Sequence, residues 1–185
     1  GLSGLTSIEG ALLLADNDSM TALDMAALEE MGSLSLSSCA LEEIGGMPSL
    51  TTIDRDLSVS SCSELAAIDL PALESIGGDL YLYNNAAFSS LSVESLSSVG
   101  GELRLHWQAG VPDLDGLSGM RSVGDDLVIW GNAALTDVSG LHGLEQVSGD
   151  LTISNNPNLT TEDAETLEES IDTLRGSSTI SNNGS

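Results

Sequence analysis

Apolar residues recur along this chain in a fixed short phrase. In 147–159, VSGDLTISNNPNL, the run Leu151-Thr152-Ile153-Ser154 alternates apolar and polar positions and then stops at Asn155-Asn156-Pro157. Such alternation predicts a short strand with one buried and one open face. The phrase returns every 22–24 residues: its first Leu recurs as Leu12, Leu34, Leu57, Leu80, Leu103, Leu127 and Leu151. Two residues later stand Leu14, Leu36, Val59, Leu82, Leu105, Ile129 and Ile153. Four residues before the first Leu come Ile8, Ile53, Ile76, Val99, Val123 and Val147, with Met31 one residue closer to its strand. Leu5, Leu28, Leu50, Leu73, Leu96, Met120 and Leu144 precede these and complete the unit. Gly often lies between the two apolar clusters, as at Gly77-Gly78 and Gly100-Gly101, where a tight turn or bulge would require it.

A repeat of this length predicts a solenoid, in which each unit makes one circuit and contacts only its neighbours. Five residues after the first Leu stand Asn17, Cys39, Cys62, Asn85, Gln108, Asn132 and Asn156. A coil that bends after each strand leaves inward-facing backbone groups unpaired there. A column of Asn amides satisfies them rung after rung, and Cys fits the slot as a small, weakly polar residue. Gln108 is the one poor fit. Parallel strands stacked at ~4.8 Å would give about eight rungs a sheet on the order of 35–40 Å long, and crossover connections favour right-handed coiling.

The L-x-L-x-x-[N/C] pattern with its leucine-spaced return resembles the leucine-rich-repeat signature. The phrase running from Gly143 to Ile153 is more similar to the receptor L domain, the ligand-binding solenoid of insulin-receptor-type ectodomains that also occurs in fungal wall and bacterial surface proteins. The resemblance implies a mainly β, right-handed parallel solenoid, and by analogy an extracellular or cell-surface location.

Residues 1–185 read as a single solenoid domain, with repeats to about 159. Thr160-Thr161-Glu162-Asp163 looks like a capped helix start, and Leu167, Ile171 and Leu174 share one face at helical spacing. A helix is therefore expected over about 161–175, replacing the usual return segment. "TISNN" at 179–183 repeats 152–156, so a last short strand is expected over about 178–183. The start lacks an initiator Met and a signal-like segment and falls partway through a repeat, which is expected of a piece of a longer chain.

Composition narrows the function. With four Arg, no Lys, 29 acids and a net charge of −25, the chain has no cationic footprint for nucleic acid or an anionic membrane surface. No apolar run approaches the ~20 residues that span a bilayer. The acids read first as a solubilising surface. Asp16-Asn17-Asp18, Asp54/Asp56 and Asp125-Asp126 lack the spacing of a calcium loop and are expected to be ion-free turns.

Aromatics are only 3% of the residues. On the open face, one column runs Leu13, Ser35, Ser58, Tyr81, Arg104, Val128, Thr152 and the next Ala15, Ser37, Ser60, Tyr83, His106, Trp130, Ser154. Rungs four to six thus gather Tyr81, Tyr83, Arg104, His106 and Trp130, with Trp107 at the rim. That places four of the five aromatic rings in one patch. Such residues dominate recognition hot spots, and their rings also stack on sugar faces. The bland alternative is that aromatics simply shield one another across rungs, or cover a neighbouring domain. Arg104 and His106 would be available to pair with carboxylates. No acid in these columns sits beside His106, so catalysis is not expected. Neither His106 nor His142, placed on an exposed return segment, has a partner at metal-ligand spacing, and no cofactor is expected.

Cys39 and Cys62 fall in equivalent slots ~5 Å apart, within disulfide reach. Side-by-side inward cysteines favour two buried free thiols over a bridge. Asn17-Asp18-Ser19, Asn158-Leu159-Thr160 and Asn183-Gly184-Ser185 are glycosylation-type triplets, the first expected to be hidden in the ladder. The expected function is a non-enzymatic module binding a protein or carbohydrate ligand through the open sheet. The alternative is a structural spacer or envelope repeat with no ligand of its own.

Overall fold

The computed structural model describes residues 2–185. The chain forms a mainly β parallel solenoid of about eight turns. The main sheet stacks Ser7–Asn17, Glu30–Cys39, Leu57–Ser60, Leu80–Tyr83, Leu103–His106, Leu127–Trp130, Leu151–Ser154 and Ser178–Ser181 in that order. All pair in parallel and in register, so that Leu12, Leu34, Leu57, Leu80, Leu103, Leu127 and Leu151 form one column ending at Ser178.

A second parallel stack carries the return segments, from Thr52–Ile53 through Ser75–Ile76, Ser98–Val99, Ser122–Val123 and Gln146–Val147 to Thr173–Leu174. The first two strands are long enough to bend through both stacks. A register shift between Ile8 and Ala11 absorbs the one-residue mismatch at Met31, which pairs with Ile8 and Ile53. The third side changes along the coil. Glu43–Ile44, Ala67–Asp69 and Ser90–Ser92 pair there first; 3-10 turns at Asp115–Leu117 and Ser139–Leu141 follow, and then helix α1, Thr161–Ser170.

Helix α1 is shorter than its sequence pattern suggests. Thr160 caps it, its hydroxyl accepting from the Asp163 N–H at 3.0 Å. The helix stops at Ser170 because Ile171 turns to extended backbone and Thr173–Leu174 joins the return stack against Gln146–Val147. The helix therefore replaces the third side of the coil, not the return segment. Leu167 and Ile171 bury a helical face, while Leu174 reaches the core from a strand. An apolar spacing of four and then three fits both paths. Arg175 and Gly176 belong to the next corner, where their N–H groups donate to Val147 and Gly149.

The core is one continuous apolar cluster from Leu23 to Ile171, built from the inward columns. Leu12 and Leu14 of the first rung are only half-buried. Burial of each inner Leu is worth roughly 1.5–3 kcal/mol, which makes the apolar columns the main source of stability.

The opening Asn155-Asn156 pair has two separate jobs. The first residue turns the chain and the second fills the ladder. Every main strand exits through a left-handed residue: Asp16, Ser38, Ser61, Asn84, Trp107, Gly131, Asn155 and Asn182, with φ between 48° and 72°. Small polar residues and Gly suit that conformation. The residue after each is the ladder position. Asn132 Oδ1 accepts from the Gln108 N–H at 2.9 Å and its Nδ2 donates to Leu105 O at 3.0 Å; Asn156 does the same for Asn132 and Ile129 at 2.9 and 3.1 Å. Asn85 serves Cys62 and Val59. Asn183 continues the column, accepting from Asn156 and donating to Ile153, so it is an eighth member and not a free glycosylation acceptor. At the other end, half-buried Asn17 donates within its own rung, to Ala15 O.

Cys39 and Cys62 are joined in a disulfide, with Cα atoms 4.7 Å apart, which corrects the expectation of two free thiols. In-register stacking brings equivalent slots to one strand spacing, inside the bonding range. Where later rungs are tied by an amide, rungs two and three are tied by a covalent bond.

Candidate functional site

The side chains on the open face of rungs four to six stand over an unbroken backbone register. Arg104 lies between Tyr81 and Val128, and His106 between Tyr83 and Trp130. The rings touch in sequence: Tyr81 stacks on Tyr83 with centroids 5.8 Å apart and planes 14° off parallel. Tyr83 meets Trp107 edge-on at 5.1 Å, and Trp107 meets Trp130 edge-on at 4.8 Å. His106 sits amid these rings, 5.9 Å from Trp130 and 6.4–6.5 Å from Tyr81, Trp107 and Tyr83. Edge-to-face pairs of this kind contribute roughly 0.5–1.5 kcal/mol each beyond burial. Ser154, on the open face beside Trp130, is only 4% exposed. Trp107 is 42% exposed and forms the outer lip.

Trp107 occupies the left-handed corner position, with φ 52°. Other rungs place Asp, Ser, Asn or Gly there; a bulky indole is costly, by about 1–3 kcal/mol. The conformation directs the ring sideways over rung six, where the chain has Gly131. A Cβ at that glycine would lie 2.5 Å from Trp107 Cδ1, and its φ is 72°. Gly131 therefore serves both its own corner and the seat of its neighbour's ring.

Arg104 is not free to pair with a ligand carboxylate as expected. Glu102, two residues earlier on the same face, holds it: Arg104 Nη2 donates to Oε1 at 2.7 Å, and Nε lies 2.5 Å from Oε2 but off the hydrogen-bonding direction. Glu102 also stands on the open face, one step before the two columns read from the sequence, and it lies beside Arg104 and not beside His106. Extending the alternation one step back would have shown it. His106 titrates below the ordinary imidazole value, chiefly because burial disfavours the charged ring and secondarily because of Arg104. Its Nε2 is covered and has no hydrogen-bond partner. The Tyr81 phenol is pushed up by burial and by Tyr83, against a smaller opposing effect of Arg104. The patch is thus aromatic, with its only guanidinium neutralised. His142 is exposed at the end of a 3-10 turn, away from these residues.

Glu102 belongs to a whole column that sequence reasoning missed: Asp56, Asp79, Glu102, Asp126 and Asp150, each immediately before its strand's first Leu. Asp56 Oδ1 accepts from the Asp79 N–H at 3.0 Å, and Asp79 Oδ1 from the Glu102 N–H at 2.9 Å. Asp126 does the same for Asp150, and Asp150 for Ser177, both at 2.7 Å. This is a second ladder, made of carboxylates at the corner before each strand. The glycines beside it are required by close stacking: Gly100 has no positive φ, but a Cβ there would lie 2.3 Å from Gly77 O.

Both ladders are irregular on the same rung. At rung five, Glu replaces Asp and its longer side chain turns to Arg104 instead of the next rung. Trp replaces the small corner residue. Gln108 replaces Asn, and its Nε2 donates to His106 O at 2.7 Å within its own rung. Asn132 still serves the Gln108 N–H, so the stacking survives. A void of about 10 Å³ lies beneath, lined in part by Phe88, Leu105 and Gln108, at the lower limit for one water. On the surface, a depression of about 290 Å³ is lined by Asp79, Leu80, Tyr81, Glu102 and Arg104.

Among the described residues no helix is long and apolar enough to cross a membrane. No group of three or more His, Cys, Asp or Glu side chains among them is arranged to hold a metal ion. No family model matches the chain, and neither a curated protein nor a solved structure matches it.

Proposed function

We propose that the protein is a non-enzymatic recognition module, of the leucine-rich-repeat or receptor L-domain kind, that captures a protein or carbohydrate ligand on rungs four to six of its main sheet. The observation that carries this reading is rung five. A Trp in a left-handed corner sets backbone strain against its ring contacts, and rung five forgoes the ladder bonds that Asp and Asn side chains make on the rungs beside it. Departures from local rules concentrate where function has displaced stability. Here all three coincide with the richest aromatic patch of the molecule. An extracellular or cell-surface setting fits both the resemblance and the Cys39–Cys62 disulfide, since oxidising compartments preserve such bonds. The test is capture of surface proteins and of an immobilised glycan panel by the native protein and by Tyr83→Ala and Trp130→Ala. Loss of capture with unfolding nearly unchanged supports recognition. Large destabilisation with no captured ligand supports the spacer reading, in which the rings only shield one another.

A further inference from the structure

We infer that the ligand of this face is an extended cationic peptide segment, its guanidinium or ammonium groups set over the Tyr83 and Trp130 rings and against the carboxylates of Asp79, Asp126 and Asp150. This rests on the recognition role proposed above and narrows its ligand class.

Charge complementarity makes the choice. The faces of aromatic rings carry negative potential and attract cations, by roughly 0.5–2 kcal/mol per contact depending on desolvation. The acidic column stands on the same open face and runs through rungs three to seven, past both sides of the aromatic patch. The hydrogen bonds of its four Asp side chains are to backbone N–H groups, which leave their negative charge in place. The one local cation, Arg104, is neutralised by Glu102, and His106 is held toward its neutral form by burial. An anionic ligand would approach a chain of net charge −25 with no free positive group at the patch to receive it.

Geometry adds a second match. Successive columns of the face are two residues apart along the strand, about 6.6 Å. An extended peptide lying parallel to the strands presents its same-side residues at that same interval. A basic residue over the Tyr83–Trp130 column therefore places a second one, four residues on, at the acidic column. Between them lies the depression bounded by Asp79, Tyr81, Glu102 and Arg104. A neutral sugar would stack on the rings and donate hydroxyl hydrogen bonds to the carboxylates, but it carries no charge to answer theirs.

The test titrates the intact protein with an acetylated, amidated alternating Arg-Ala peptide, its Glu-Ala counterpart and a neutral chito-oligosaccharide, following tryptophan fluorescence. The Arg-Ala peptide should change the emission and the other two should not. Its affinity should fall at least about tenfold as the ionic strength rises to roughly 1 M, where the screening length is only about 3 Å. Trp130→Ala, which leaves every charge in place, should weaken binding at least about tenfold. The triple change Asp79→Asn, Asp126→Asn, Asp150→Asn keeps an oxygen acceptor at each ladder position and should weaken it comparably. Equal binding by Trp130→Ala would mean attraction of any polycation to an acidic protein and would overturn the proposal, as would indifference to the three Asp→Asn changes. Response to the sugar with none to Arg-Ala would overturn the cationic ligand while leaving the recognition face intact. No response to any probe would overturn the cationic ligand, and if the native protein also captures nothing in the capture experiment, the recognition reading falls with it.

Discussion

Rungs one to three and rungs four to six share the parallel pairing of the main sheet and its inward apolar columns, yet their outer surfaces have little in common. The first group shows Ser35, Ser37, Ser58 and Ser60, together with Ala15 and a Leu13 that is 69% exposed. The second shows two Tyr, two Trp, an Arg–Glu pair and a half-buried His. The interior is also tied differently: a disulfide links rungs two and three, while amides link the later ones. In this coil the inward columns build the shared core, and the outward columns vary from one group of rungs to the other.

The largest expected effect tests the sameness of the interior. Leu36→Ala and Leu105→Ala, one in each group, should each lower unfolding free energy by about 2–5 kcal/mol in denaturant titration, because both side chains are fully enclosed or nearly so. A clearly smaller loss at Leu105 would show that the void beneath rung five has already loosened that part of the core. Next, the double change Cys39→Ser, Cys62→Ser should cost about 3 kcal/mol, the expectation for a loop of this length, with residues 23 apart in sequence. Ligand capture at 25 °C should survive, since the bond lies outside the patch.

Trp107→Asn should move stability by no more than about 1 kcal/mol, because relief of the left-handed corner offsets the lost ring contacts. Capture should fall sharply. A large loss of stability would instead make Trp107 part of the scaffold, and the contrast between the two groups of rungs would shrink. The smallest effect concerns pH. The folded state lowers the affinity of His106 for a proton, so the unfolded chain binds the proton more readily. Stability is then complete above the ordinary value of 6.5 and declines as pH falls below it. In His106→Gln this local slope should vanish from thermal unfolding curves recorded between about pH 7 and 5.

Much of this was legible because a solenoid writes its fold as a period. The column of leucines, the ladder after it and the membership of the aromatic patch all follow from strand alternation and repeat spacing. What escaped the sequence depends on neighbours one rung away. The carboxylate ladder is invisible until stacking brings Asp56 beside the Asp79 N–H. The Arg104–Glu102 pair lay one step outside the columns considered. The disulfide depends on two side chains turning toward each other, which spacing permits but does not decide. The end of helix α1 was misplaced because Leu167, Ile171 and Leu174 keep helical intervals even after the chain has left the helix.

The in-register parallel stacking has a consequence for how such a molecule can change size. A duplicated segment of 23 residues, from Ser35 to Leu57, would re-enter the coil at the point where it left and extend the axis by a single ~4.8 Å step. The carboxylates from Asp79 onward, the indoles and the far end would travel together as a cassette, their mutual distances preserved. Reach and grip can therefore evolve separately in this architecture, one by copying and the other by substitution.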